Sequence, residues 1–197
     1  MAQDVIPLRT QKLKTEIVAQ FYNECDAEMA ALMPTFTLYK QNPYPGLGRM
    51  YAESTSRPTF FLYFQAHDKR DAFTVEMSWS LGGVPPVHLG AYHIPRDWAD
   101  IGVFRTDINV GEFCFRLPQL WVKPKYDPWW EFAPRVPYLK QLGAPPSKVE
   151  MLSVIADQQL GDVGKCKQLV VNAMQKILQF GIPYMHDIRA RTAAKGT

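Results

Sequence analysis

The sequence FFLYFQAHDKRDAFTVEMSWS, from Phe60 to Ser80, contains two apolar segments on either side of a short charged one. Apolar and polar residues alternate in the second segment: Phe73, Thr74, Val75, Glu76, Met77, Ser78 and Trp79. Successive side chains of a strand point to opposite faces of a sheet, so this alternation predicts a strand. Together the two segments predict an antiparallel β-hairpin with one face in the core and the polar face in solvent.

Length and composition are those of one globular domain. The chain has 197 residues, of which 47% are hydrophobic and 13% aromatic, and it contains 16 prolines. A single domain of this size buries about 70% of the surface of its unfolded chain, which is enough for a proper core. The aromatic and proline content favours a sheet with bulky side chains and ordered loops over a helical bundle.

Charge and cysteine content narrow the classes of function. The net charge of +3 is too small to predict nucleic-acid binding without a cluster of Lys and Arg. Cys25, Cys114 and Cys166 are far apart and form no C-x-x-C pair, which favours free thiols in a reducing cytoplasm. No signal peptide is recognisable after Met1, and no apolar segment approaches the roughly 20 residues that span a bilayer. We therefore expect a cytoplasmic protein that contacts no membrane.

Amphipathic helices are predicted on both sides of the hairpin. Large apolar residues recur at about every fourth position from Leu13 to Met33, and again from Cys166 to Leu178. The first helix is predicted to end before Pro34, and the second at Gly181 and Pro183.

Shorter strands complete the predicted sheet. They lie within residues 35–40, 49–54 and 112–117. Strands in the middle of the chain and helices at its ends predict an α+β fold, in which an antiparallel β-sheet meander packs against an N-terminal helix and C-terminal helices. A single domain is expected from residue 1 to 192, and a disordered tail from 193 to 197.

The first candidate site combines Arg116 with the segment from Asp127 to Glu131. Trp129 and Trp130 can form a stacking platform beside these two carboxylates, and Arg116 can bind a ligand carboxylate or phosphate with two parallel hydrogen bonds. The alternative is structural, since a tryptophan can close the end of a sheet and Arg116 can pair with either carboxylate. The sequence leaves both interpretations open.

These residues also carry a resemblance to a known family. Cys114-Phe115-Arg116-Leu117, followed by Asp127-Pro128-Trp129-Trp130, resembles a bacterial domain family of unknown function with a D-x-W-W signature. Its members have an N-terminal helix, a strand meander, an arginine-bearing strand and C-terminal helices. The resemblance implies this fold for the chain, and it implies no activity, cofactor or mechanism.

The second candidate site is a segment rich in proline and glycine, from Leu81 to Ile101. Loops of this length inside a compact domain are commonly functional, and this one contains His88, His93 and Trp98. Two histidines five positions apart share neither a helix face nor a strand face, and no third ligand is suitably spaced. We therefore predict no metal ion and no cofactor.

No catalytic motif is recognisable in the sequence. No serine lies in a G-x-S-x-G motif, and no cysteine lies in a nucleophile motif. His67 beside Asp68, and His186 beside Asp187, are interpreted as solvated pairs, because a catalytic pair needs neighbours in space rather than in sequence. We therefore predict no catalytic residues.

The patterns as a whole favour a binding protein over an enzyme. The leading prediction is a bacterial cytoplasmic protein without catalytic activity that recognises a protein partner through an aromatic-rich rim. The aromatic residues considered for that rim are Tyr44, Trp98, Trp121, Trp129 and Trp130. The alternative is an enzyme or small-ligand binder whose pocket is lined by Arg116, Trp130 and either His88 or His93. A homo-oligomer is also open, since a hairpin at a sheet edge can pair with its copy.

Overall fold

The computed structural model describes residues 8–40, 48–55, 57–66, 72–86, 111–121, 130–131 and 163–195. Over these ranges the chain forms an antiparallel sheet and α-helices, which confirms the predicted α+β fold. The strands are β1 (Thr37–Leu38), β2 (Gly48–Glu53), β3 (Thr59–Ala66), β4 (Ala72–Ser80), β5 (Glu112–Arg116) and β6 (Trp130–Glu131). The helices are α1 (Leu8–Leu32), α2 (Val163–Lys176) and α3 (Ile182–Lys195).

Strand β4 is the centre of the sheet. The strand order β1-β2-β3-β4-β5 follows the chain, as expected for a meander, and β6 also pairs with β4. One side of β4 pairs with β3 from Phe73 to Ser80, and its other side pairs with β5 and β6. The β3–β4 hairpin therefore lies inside the sheet rather than at its edge, and its backbone is not available to a second copy of the chain.

The first face of the sheet, which carries Phe73 and Trp79, is covered by all three helices. Both helical periodicities predicted from sequence are confirmed here, because buried residues recur at about every fourth position along α1 and α2 and at the residue directly after each: Phe21, Cys25, Met29, Met33, Cys166, Val170, Ala173 and Ile177. Each large apolar side chain buried in this way stabilises the fold by about 1.5–3 kcal/mol. The indole N–H of Trp79 donates to the hydroxyl of Tyr184 over 2.8 Å, which joins α3 to the sheet.

The second face of the sheet is also buried, contrary to the prediction that it lies in solvent. All nine residues of β4 are buried, including the polar ones: Thr74, Glu76, Ser78 and Ser80. The register gives one reason, since the rings of Phe61 and Tyr63 on β3 lie opposite Ser78 and Glu76. These rings belong to a separate apolar cluster on the second face, together with Met50 and Ala52.

Helices α2 and α3 are continuous through a π-helical turn, Ile177–Gly181. The prediction that Gly181 and Pro183 end the helix is wrong, and residues 193 to 195 are helical where a disordered tail was predicted. Proline interrupts a regular α-helix because it lacks an N–H and its ring meets the carbonyl four residues earlier. The wider π-helical turn, closed by a bond from the N–H of Ile182 to the carbonyl of Ile177, ends just before Pro183.

Glycine at position 181 allows this turn to approach the sheet closely. A Cβ atom placed there would lie 3.0 Å from the Sδ atom of Met77 on β4. The π-helical turn therefore packs directly on the central strand, and this packing fixes where the residues around it emerge at the surface.

Candidate functional site

The predicted site residue Arg116 lies on the second face of the sheet and is only 2% exposed. Its guanidinium forms an ion pair with Glu76, which faces it from β4, and donates a second hydrogen bond to Gln65 Oε1 over 3.1 Å. The Arg116 backbone N–H donates to Gln119 Oε1 over 2.8 Å. The positive charge of Arg116 is thus matched inside the sheet by Glu76, whereas the predicted pairing with Asp127 or Glu131 involves side chains outside the described ones.

The polar groups next to this ion pair show no sign of activation. Burial, followed by the nearby carboxylates of Glu76 and Glu112, raises the pKa of the Cys114 thiol to about 12. A thiol with so high a pKa is a poor nucleophile at neutral pH. Within the described part of the chain, the buried hydroxyl of Ser78 has no hydrogen-bond partner, and so no base is in position to activate it.

The other two cysteines lie between α1 and α2, where they contribute to the core. Burial raises the pKa of the Cys25 thiol, and it raises the pKa of the Cys166 thiol to about 11. All three cysteines are free thiols. Among the described residues, no group of three or more His, Cys, Asp or Glu side chains is placed to bind a metal ion.

Trp130 lies on the first face, beside helix α2. It pairs with Phe73 in the sheet, and the two rings are stacked with centroids 5.4 Å apart and planes 11° apart. Its indole N–H donates to Asn172 Oδ1 over 3.2 Å. Trp130 thus joins the outer side of β4 to α2 and remains partly exposed.

One helical turn after Asn172, a second contact joins α2 to this edge of the sheet, and it is formed by two aromatic rings and a lysine. Trp121, directly after a 3-10 turn that follows β5, stacks on Phe180 with centroids 5.0 Å and planes 25° apart. The ammonium of Lys176 lies 5.7 Å from the Trp121 centroid and 5.3 Å from the Phe180 centroid. Both rings are partly exposed, so they present apolar surface next to a positive charge.

These residues form one surface, which we call the aromatic rim and define as Trp121, Trp130, Asn172, Lys176 and Phe180. Asn172 and Lys176 are four positions apart on α2, so their side chains are neighbours on the helix surface. The two tryptophans reach them from the same side of β4, because β5 and β6 both pair with its outer edge. The rim is therefore a strip along the junction of α2 with the edge of the sheet.

Asn172, Lys176 and Phe180 are the rim residues that the sequence did not predict. The π-helical turn decides the position of Phe180, because it rotates this residue relative to where a regular helix would carry it. A signal was present, since apolar residues continue after Gly181 and Pro183 with Tyr184, Met185 and Ile188. Continued helical spacing past a proline favours a distorted helix over a helix end.

Two of the predicted site residues, Arg116 and Trp130, lie on opposite faces of the sheet. Phe73 and Glu76, three positions apart on β4, point to opposite faces, and they are the contacts of Trp130 and Arg116 respectively. Within the described residues, Arg116 and Trp130 therefore line no common pocket. Glu131, in β6, pairs with Ala72 of β4. The remaining predicted residues lie outside the described residues: Tyr44, His88, His93, Trp98, Asp127 and Trp129.

No protein-family model matches this chain, and comparisons with curated proteins and with solved structures found no match either. The resemblance to the D-x-W-W family stays a prediction. Within the described part of the chain, no helix combines the length and the apolar character that crossing a bilayer requires.

Proposed function

We propose that this chain is a bacterial cytoplasmic protein that binds a partner protein through the aromatic rim and has no catalytic activity. The observation that carries the proposal is the stack of Trp121 on Phe180 with the ammonium of Lys176 over both rings, at a partly exposed site. Tryptophan and other large aromatic residues contribute most to binding energy at protein interfaces, especially where they are held in place before the partner arrives.

Rigid support of the rim favours this function. Helix α2 buries Val170 and Ala173 in the core, and the π-helical turn after it buries Ile177, so the residues on the outer side of α2 are fixed relative to the sheet. Trp130 is held by a ring stack and a hydrogen bond. Side chains that are already ordered lose little conformational entropy when a partner binds them.

The remaining parts of the proposal have separate support. Three free thiols, each with a raised pKa, suit a reducing compartment, which favours the cytoplasm. Bacterial origin is inferred from the D-x-W-W resemblance. The lack of activity is inferred from Arg116, whose charge is already matched by Glu76 in the interior.

The alternative, an enzyme or small-ligand binder with Arg116 and Trp130 in one pocket, is less well supported. These two side chains lie on opposite faces of the sheet, so a single ligand would not contact both within the described structure. An arginine paired with a buried carboxylate also has less capacity to bind a ligand anion, because the ligand would have to displace Glu76.

An affinity capture from the native host tests the proposal. The double variant Trp121→Ala/Phe180→Ala should lose partners that wild-type protein retains, because it removes the exposed rings and leaves the core of α2 unchanged. Leu38→Ala is a matched control, since Leu38 is a large apolar residue that is 48% exposed on β1, at the opposite edge of the sheet. Circular dichroism and thermal unfolding establish that all variants are folded. Identical partner lists for wild type and a folded rim variant would contradict the proposal.

A further inference from the structure

We infer that the aromatic rim binds an acidic peptide segment, in which an Asp or Glu lies next to an aromatic or aliphatic residue. The inference deepens the proposed function, on which it rests, by naming the chemistry of the partner. In the complex, the partner carboxylate contacts the ammonium of Lys176, and the apolar residue beside it packs on Trp121 and Phe180.

The main argument is that Lys176 differs from the paired arginines of this protein. Four arginine side chains are paired with carboxylates of the same chain: Arg49 with Asp26, Arg116 with Glu76, Arg189 with Glu53 and Arg191 with Asp187. Lys176 instead donates to the neutral amide of Gln179 over 3.2 Å and lies on the two rings. Its charge is therefore available to a carboxylate from outside.

The sequence around Lys176 contains no acidic residue that would neutralise its charge. From Val163 to His186 the chain has neither Asp nor Glu. A surface with one sign of charge attracts partners of the opposite sign, raises their rate of association and disfavours like-charged competitors.

The two rings decide between an acidic peptide and a nucleic acid, which is the other kind of anion that aromatic residues bind. Single-stranded nucleic acid needs separate ring faces for successive bases and a continuous line of cations along the backbone. In the rim, Trp121 and Phe180 are stacked on one another, and Arg189 and Arg191 of α3 are paired with carboxylates. A single cation beside a compact apolar surface suits one carboxylate and one apolar side chain.

Selection from a displayed library of random peptides on the purified full chain tests the inference. Wild-type protein should enrich sequences with an acidic residue adjacent to an aromatic or aliphatic one. For a synthetic peptide from that pool, Lys176→Gln should weaken binding by at least about tenfold, as the loss of a charge-assisted contact predicts. Lys176→Arg should keep most of the affinity, because it retains the charge.

Lys167→Gln is the matched control for this experiment. Lys167 is exposed on the same helix, nine positions before Lys176, which places it on the opposite side of α2. The variant therefore makes the same change in net charge without touching the rim. Peptide binding should be within about twofold of wild type, because a distant exposed charge is largely screened by salt.

Each other outcome has a distinct meaning. Peptides that need Phe180 but show no acidic enrichment, or that bind Lys176→Gln as well as wild type, would overturn this inference and leave the proposed function standing. Failure to enrich any peptide would count against both. Displacement of the peptides by single-stranded DNA of mixed sequence, at equal charge concentration, would assign the rim to nucleic acid and overturn the inference.

Discussion

The two faces of β4 are both buried, but they achieve burial in different ways. The first face presents Phe73, Val75, Met77 and Trp79 to three helices. The second face presents polar side chains, and its only charged residue, Glu76, is matched by Arg116 from the next strand. Burying a charge is costly unless it is paired and hydrogen-bonded. The comparison teaches that alternation in a sequence separates the faces of a strand, whereas partners elsewhere in the chain decide which face meets water.

Among single substitutions on the second face, Arg116→Met should cause the largest loss of stability. It leaves the carboxylate of Glu76 buried without its cation, and breaking a buried ion pair in this way costs about 3–5 kcal/mol. Urea unfolding followed by circular dichroism measures the loss as a shift of the midpoint. Partner binding by the folded fraction should not change, because Arg116 and the rim lie on opposite faces of the sheet.

The double variant Arg116→Met/Glu76→Leu is the control for this prediction. It removes both charges and fills the space with apolar atoms, which is often close to neutral for a buried pair. Most of the stability lost in Arg116→Met should therefore return. If the free energy of unfolding of Arg116→Met were within about 1 kcal/mol of the wild-type value, the ion pair would not determine burial of the second face.

A smaller difference between the faces should appear when one hydroxyl is removed from each. Tyr184→Phe takes away the oxygen that accepts from Trp79 Nε1 on the first face, and a buried N–H without an acceptor costs about 1–3 kcal/mol. Ser78→Ala removes a buried hydroxyl without a partner in the described structure, so stability should be unchanged or rise by up to about 1 kcal/mol. Thermal and urea unfolding of the two variants measure both effects. A loss of more than about 1 kcal/mol in Ser78→Ala would mean that this hydroxyl is bonded in solution.

The sequence predicted those parts of the fold that depend on local pattern. Period-two alternation located β4 and β5, and helical spacing located the buried residues of α1 and α2, because each pattern is set by the geometry of a single element. The partner of Arg116 was missed because Glu76 lies 40 positions away, and the pairing depends on strand register. Asn172, Lys176 and Phe180 were missed because each contacts a tryptophan from a distant part of the chain, Trp130 or Trp121. The prediction that the helix ends at Gly181 and Pro183 failed because a π-helical turn carries the chain past them.

The smallest effect on stability is expected for a substitution in the rim. The size of that effect distinguishes a binding surface from a contact that stabilises the fold. The contact of Lys176 with the two partly exposed rings is worth about 0.5–1 kcal/mol, so Lys176→Gln should lower the free energy of unfolding by no more than that. Lys167→Gln provides the baseline for loss of an exposed charge on the same helix. If Lys176→Gln instead lowered the free energy of unfolding by about 2 kcal/mol or more, which is a loss typical of buried groups, the Lys176 ammonium would be a structural contact between α2 and the sheet. A small loss of stability together with a large loss of peptide binding is the combination that only a recognition surface predicts.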